Sequence, residues 1–280
     1  MFSKEDVAKY YDTTQNHYEK WWRLQDHLSL HYGIWDDHTK NFSDSLENTN
    51  RLLLEKAKIK STDLVLDAGC GVGGAAFYVH KKTGAKVTGI SLSKKQISLA
   101  NELVEVRKLK NSIDFELMDF TQTKFDDESF DVIWACESVC HTTEKRAFIK
   151  EALRLLKPGG RLVMSDFFKT NENQKDKDNL MLKWGQTWGV SNFISVQLFI
   201  SQLQKVGFRH IQTFGYTSQI QRTAKRLYRA SLLGTLPSLI YNLFHPNVSH
   251  FAKAHYKCGF YQYKALKANL WKYNLIVARK

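Results

Sequence analysis

Between residues 62 and 167, short apolar runs alternate with stretches in which apolar residues recur every three or four positions. The runs at 64–66, 86–90, 113–117, 130–134 and 161–167 predict strands, and the stretches at 73–82, 93–108 and 144–156 predict helices. Strands that alternate with helices build a parallel sheet covered on both faces. Ahead of this block, residues 4–30 have a helical pattern that ends at the turn His31-Tyr32-Gly33. A second helix is expected over 43–58, with Ser43 as its cap. The turn Lys157-Pro158-Gly159-Gly160 precedes the fifth strand, and a polar loop at 169–179 follows it. The remainder predicts an apolar stretch, a helix at 196–206, a strand at 208–214, a helical basic segment at 218–268 and a last strand at 273–278. No internal repeat or low-complexity tract interrupts the order.

A chain of 280 residues is one large domain or a core with an insertion, since single cores stop growing near ~250–300 residues. With 43% hydrophobic residues it has the material for a large core, and global disorder is excluded. The four cysteines, at 70, 136, 140 and 258, include no CxxC pair, so neither a disulfide framework nor a zinc site is expected, and a reducing compartment fits. The opening MFSKEDVAKYYD lacks a signal-type apolar segment, and no run approaches the ~18 apolar residues of a membrane span. A cytoplasmic address is the expectation.

Charge divides the chain sharply. All 28 acidic residues lie in 1–178 beside 27 of the 41 basic ones, whereas 179–280 hold 14 basic residues and no acid. That acid-free part is also aromatic-rich, with 17 Phe, Trp or Tyr among its 102 residues. Basic and aromatic together suit an anionic lipid surface, a nucleic acid, or an acceptor with an apolar body and an anionic head. A solvated basic face would read the same way.

The first strand runs into Asp67-Ala68-Gly69-Cys70-Gly71-Val72-Gly73-Gly74, which contains G-x-G-x-x-G at 69, 71 and 74. A dinucleotide site needs an acid ~20 residues further on for the ribose hydroxyls. Here no acid occurs between Asp67 and Glu102. Asp67 would also set a carboxylate where a pyrophosphate brings negative charge, so a cationic ligand suits the loop better.

Val65-Leu66-Asp67-Ala68-Gly69-Cys70-Gly71-Val72-Gly73-Gly74 resembles the first motif of class I S-adenosylmethionine-dependent methyltransferases. Thr88-Gly89-Ile90-Ser91-Leu92-Ser93-Lys94-Lys95-Gln96, residues 130–138 (FDVIWACES) and residues 156–162 (LKPGGRL) resemble one branch of that family. It contains the tocopherol, sterol and prenyl-diphosphate C-methyltransferases and the sugar O-methyltransferases of natural-product (secondary) metabolism. The likeness is strong over 62–167, moderate at Tyr10-Tyr11-Asp12 and His31-Tyr32-Gly33, and only architectural beyond 180.

The resemblance implies a Rossmann-like α/β fold with a seven-stranded sheet, N-terminal helices and an inserted helical lid. The corresponding boundaries are 1–60 for helices covering the cofactor and 61–168, 196–216 and 270–280 for the binding core, with the acceptor lid at 169–195 and 217–269. The implied cofactor is S-adenosylmethionine. Asp67, Gly69, Cys70 and Gly71 would lie beside its methionine moiety, and Gln96 would reach the ribose in place of an acid, with Ser91 and Leu92 on the same wall. Asp119 would take the adenine amino group, Phe120 would pack on the ring, and Tyr11 would close over the cofactor. No metal site is implied.

On the acceptor side, Glu137, His141 and Asp166 follow the fourth and fifth strands and are the candidate catalytic residues. His141 would be the base in O-methylation, and Glu137 a pocket residue in C-methylation. Tyr10, Trp184, Trp188, Phe193 and Tyr241 are candidates for an apolar acceptor pocket, joined by Tyr228 and Phe244. Arg222 and Arg226, at helical spacing with Lys225 and Arg229, are candidates for holding a diphosphate or carboxylate. The leading expectation is C-methylation of a hydrophobic prenyl or terpenoid acceptor, including a prenyl diphosphate, with peripheral membrane contact also compatible. O-methylation of a natural-product hydroxyl through His141 is the alternative. A nucleic-acid methyltransferase and a non-catalytic cofactor-binding protein are readings from other classes, the former weakened because no RNA-binding module is recognisable. The oligomeric state is not encoded in any of these patterns.

Overall fold

The structure is a computed structural model that describes residues 2–22 and 27–280, with side chains described at 2–14 and 27–280. The predicted helix over 4–30 appears as α1 (Lys4–Trp22); residues 23–26 of that prediction lie outside the described residues. Helix α2 (Phe42–Ala57) is capped by Asn41, whose side chain accepts from the Asp44 N–H at 3.0 Å, and not by Ser43. Asn41 is extended while Ser43 is already helical, so only Asn41 can turn its oxygen onto the free amides.

The alternation then runs β1 (Leu64–Ala68), α3 (Gly74–Thr83), β2 (Lys86–Ser91), α4 (Lys94–Arg107), β3 (Ile113–Leu117), β4 (Phe130–Cys136), α5 (Lys145–Leu155) and β5 (Leu156–Lys169). The last elements are α6 (Leu180–Trp188), α7 (Val196–Val206), β6 (Arg209–Gly215), α8 (Gln221–Phe244), α9 (His250–Ala254), α10 (Cys258–Lys267) and β7 (Trp271–Arg279). Strand β5 begins five residues earlier than the sequence suggests. Leu156 already pairs with Phe130, and the register shift between Phe130 and Val132 absorbs the turn residues.

The seven strands form one sheet in the order β3-β2-β1-β4-β5-β7-β6. β1, β2, β3, β4 and β5 pair in parallel, while β7 runs antiparallel to both β5 and β6. This is the Rossmann-like α/β sheet expected. Its strand order reverses between β1 and β4, and an open parallel sheet presents a crevice at the carboxyl ends of its strands at that point. The loops after β1 and β4, at 69–73 and 137–144, therefore border the same crevice.

Two apolar layers built from the strands and their covering helices sit on the sheet. A third core, mostly aromatic, joins α1, α6, α8, α9 and α10 to the ends of β5 and β7. Trp184 is fully buried in it, stacked on Phe193 at 4.5 Å and Trp188 at 5.4 Å and tilted against Trp271 at 5.2 Å. Replacing so large a buried ring by alanine costs about 3–5 kcal/mol. Trp184→Ala should accordingly lower the unfolding free energy by about 3–5 kcal/mol, read as a lower urea midpoint in equilibrium denaturation.

Candidate active site

A cavity of about 700 Å³ opens at the crevice between β1 and β4. The Gly-rich loop supplies its floor. Gly69 (φ +91°) and Gly71 (φ +55°) occupy left-handed backbone, and a Cβ on Gly69 would collide with Ser138 of the opposite loop. A Cβ on Gly71 would make ordinary contact with Leu30 at 3.8 Å, so it is the left-handed backbone and not crowding that calls for glycine there. The amides of Gly69 and Cys70 both donate to the Ile90 carbonyl, at 2.9 and 3.0 Å, which ties the loop to β2.

Asp67, the penultimate residue of β1, is buried in this wall, and its Oδ2 accepts no hydrogen bond among the described residues. Burial pushes its pKa up to about 7, with the Ala76 amide pulling the other way. On the next strand Ser91 donates to Gln96 Oε1 at 2.9 Å, and Ser93 caps α4 by accepting from the Gln96 amide at 3.1 Å. Gln96 is thereby buried and turned inward, not exposed on its helix. Asp119 accepts from the amide and hydroxyl of Thr121, both at 2.8 Å, and pairs with Lys4 of α1. Phe120 meets Phe148 edge-on at 5.3 Å. All ten residues assigned from sequence to the cofactor side, namely Tyr11, Asp67, Gly69, Cys70, Gly71, Ser91, Leu92, Gln96, Asp119 and Phe120, border this one cavity.

The far wall comes from α1, the 28–31 segment, the β4 loop and α6. Tyr11 Oη lies 2.8 Å from His141 Nε2, and Trp188 meets the same imidazole edge-on at 4.9 Å. His141 is buried, and desolvation pulls its pKa down to about 4, so the ring is neutral at pH 7. Glu137, at φ +52°, accepts from the Tyr32 amide and the Tyr273 hydroxyl on one oxygen, each at 2.7 Å. Burial outweighs those two donors and pushes its pKa up to about 8.

Several sequence assignments are corrected here. Asp166 does not reach this cavity. Its oxygens accept from the Cys140 and Phe167 amides at 2.9 and 2.8 Å, so it holds the β4 loop against β5, and it borders only a void of about 10 Å³. Of the aromatic acceptor candidates only Trp188 lines the cavity. Tyr10, Trp184 and Phe193 are consumed by the aromatic core, Tyr228 packs on Tyr263 at 4.8 Å, and Tyr241 and Phe244 are exposed on α8. Arg222, Lys225, Arg226 and Arg229 border a separate cavity of about 510 Å³ with Trp35 and Phe42. The physical reason is common to these cases: a place on a strand, loop or helix face is set locally, but what that side chain meets is set by the segment packed against it. Sequence reasoning missed Tyr273, which anchors Glu137 from the last strand, and His31, which is buried in the cavity wall with Nε2 unbonded. It also missed Lys145, whose ammonium donates to the Cys140 and Asn192 carbonyls at 2.9 and 3.1 Å and clamps the β4 loop. Only His31 carried a signal, through its turn. Among the described residues no group of three or more His, Cys, Asp and Glu is arranged to hold a metal ion.

Residues 66–164 match the family described as a methyltransferase domain. The chain is similar to Methyltransferase GfsG of Streptomyces halstedii, with 35% identity over 167 residues, covering 59% of this chain and 58% of that protein. It is also similar to the chloroplastic tocopherol O-methyltransferase of Arabidopsis thaliana, with 28% identity over 235 residues, covering 78% of this chain and 66% of the relative. The matched segments thus span about three fifths of these relatives' own lengths. Among solved structures, the cyclopropane synthase MmaA2 from Mycobacterium tuberculosis superposes with a TM-score of 0.83 at 16% identity, covering 100% of this chain and 99% of that one, a likeness of fold.

The buried acid Glu137 makes a prediction about stability. Its folded pKa, about 8, lies above its ordinary 4.5, so its contribution is full below pH 4.5 and is lost as pH rises toward about 8. Glu137→Gln keeps the acceptor oxygen and cannot ionise. Thermal melts of ligand-free protein should show this variant gaining on the wild type steadily across that pH range.

Proposed function

We propose that this chain, whose residues 66–164 are a class I S-adenosylmethionine-dependent methyltransferase domain, transfers a methyl group from that donor to an uncharged, mainly apolar small molecule bound beside Tyr11 and Trp188. The observation that carries this reading is the make-up of the cavity. Its described lining contains five carboxylates (Glu5, Asp67, Asp119, Glu137 and Glu144) and a single lysine, Lys4, which Asp119 already engages. A cationic donor fits such a site directly. The apolar part of the lining, including Phe2, Val7, Ala8, Leu28, Leu30 and Trp188, suits an acceptor body with no charge. A neutral prenyl or other terpenoid acceptor is the simpler fit, and a prenyl diphosphate would need a divalent cation between its phosphates and these carboxylates.

The cofactor fits the residues present. The unbonded, buried Asp67 Oδ2 asks for a donor or a cation, and Gly71 lines the same cavity beside it. Asp67, Gly69, Cys70 and Gly71 would hold its amino-acid end, with Ser91, Leu92 and Gln96 at the ribose and Asp119 and Phe120 at the adenine. Asp119 is anchored by Thr121 and Lys4, which fixes its direction, and a carboxylate has further lone pairs to accept from an exocyclic amine. When bound, S-adenosylmethionine supplies a methyl carbon already activated by its sulfonium. The chain's own work is then to align the acceptor, exclude water and, for a hydroxyl, receive a proton. Tyr11, from α1, closes one side of the cavity and holds His141 by its 2.8 Å contact.

That contact favours a second reading of the accepting atom, a hydroxyl oxygen in place of carbon. Nδ1 of the neutral imidazole faces the Gly189 carbonyl at 3.4 Å, which leaves Nε2 as the accepting nitrogen; a substrate hydroxyl would give its proton there in place of the Tyr11 hydroxyl, while Asp166, the other expected helper, is turned away.

Two measurements test these readings. Uptake of the cationic donor should drive ionisation of Asp67, whose pKa near 7 leaves it partly protonated at neutral pH. Calorimetry in buffers of different ionisation enthalpy should therefore register proton release, and Asp67→Asn should reduce the buffer dependence, any remainder belonging to Glu137. For transfer itself, an acceptor screen read by the gain of one methyl identifies the substrate. With a hydroxyl acceptor, His141→Ala should lose about 10²–10⁴-fold in kcat/KM, and wild-type kcat at saturating donor, which keeps Asp67 ionised, should hold as pH falls until near 4, where His141 protonates. A carbon acceptor should leave His141→Ala far less impaired.

A further inference from the structure

Helix α8 turns one stripe of side chains outward along its whole length. Its inner face is occupied: Thr223, Ala224 and Ser231 are buried, and Tyr228 stacks on Phe260 and Tyr263 of α10. On the outer face Arg222, Lys225, Arg226 and Arg229 come first, all exposed. At the same three- and four-residue spacing they give way to Leu233, Leu236, Ile240 and Leu243, exposed by 71%, 67%, 51% and 77%. Leu232, Leu239 and Phe244 widen this apolar half. The two halves are continuous, because Leu233 borders the same 510 Å³ cavity as the four cations. Arg222 and Arg226 are held in place there over the rings of Trp35 and Phe42, at 5.2 and 4.6 Å.

A contiguous array of exposed leucines of this kind marks an interaction surface. We infer that the outer face of α8 docks on the surface of an anionic phospholipid bilayer, the cations of its first half on the lipid phosphates and the leucines of its second half in the acyl boundary. The distribution of charge favours this occupant over others. From residue 179 to the end the chain has no acid, so α8 and the helices that follow it present no negative charge to an anionic surface; the nearest acids in sequence to the rings under the cations are Asp36, Asp37 and Asp44, of which Asp36 is paired with Arg51. A second copy paired across a two-fold axis would set cations against cations with the helices parallel, and would cover the four cations with leucines, leaving them no counter-charge, with the helices antiparallel. A nucleic acid would use the basic half and leave the leucines in water. Interfacial helices combine these two elements, apolar burial and attraction to anionic headgroups. No helix among the described residues is long and apolar enough to cross a membrane, so the contact is peripheral.

The test is co-sedimentation of the full chain with vesicles, without methyl donor, so that its outcome is separate from that of the transfer reaction. The expected result is binding to phosphatidylcholine vesicles containing phosphatidylglycerol that falls as salt is raised, with little binding to pure phosphatidylcholine. Each cation near the surface contributes about fivefold in affinity, so Lys225→Ala and Arg229→Ala should each weaken binding by about that factor. Leu233→Ser combined with Leu236→Ser and Leu243→Ser, all at exposed positions, should remove it while leaving the thermal midpoint in place. Equal binding to neutral and anionic vesicles, or binding to neither, would overturn the inference. So would a dimer in sedimentation velocity that the leucine substitutions dissolve, or retention of RNA that they leave intact.

Discussion

Two carboxylates, Asp67 and Glu137, are buried at the mouth of the sheet with no cation against either among the described residues, and the site is organised around that cost. Burying a lone negative charge is expensive, so each acid is driven toward its neutral form while the cavity lacks a positive partner. Glu137 is partly compensated by a backbone amide and a tyrosine hydroxyl, whereas Asp67 Oδ2 has nothing. A fold that keeps such groups holds them where a ligand completes the set. Their positions follow from topology, since β1 and β4 are adjacent at the point where the strand order reverses.

The same crevice needs walls, and helices from the two ends of the chain provide them. Tyr11 of α1 and Trp188 of α6 meet on opposite sides of His141, and Tyr10 ties α1 to the aromatic core through Phe251 at 5.3 Å. Closing the cavity therefore depends on a core that lies outside the sheet. The rings that read as a substrate pocket are mostly the filling of that core, and the cavity meets only its edge at Trp188. The cations that read as a headgroup clamp are farther out still, on the outer side of α8. The acceptor side is consequently apolar and acidic, although the chain as a whole carries a net charge of +13.

The strand and helix order was legible over 62–167, because alternating periods are local properties of the chain and each period implies which face is buried. The cofactor-side residues were legible for the same reason. Apart from Tyr11 on α1, they sit at the carboxyl ends of β1, β2 and β3 or within a few residues beyond, so once the strands are parallel and adjacent, these positions share one end of the sheet. The charge asymmetry was likewise plain from the residues alone.

Other features were decided only in three dimensions. Asp166 lies near the carboxyl end of β5 as Glu137 lies just past β4, but its oxygens are taken by the Cys140 and Phe167 amides. Tyr273 finds Glu137 across 136 residues of sequence, through a strand inserted antiparallel beside β5. Whether an aromatic of the C-terminal half fills a core, lines a cavity or faces water depends on which surface its helix lands against. The sequence by itself determined the periods, the loops and the charges, because these depend on neighbours along the chain. The tertiary structure decided which side chains are spent on packing and which remain for a ligand, because burial is set by contacts between segments that sequence separation leaves unspecified.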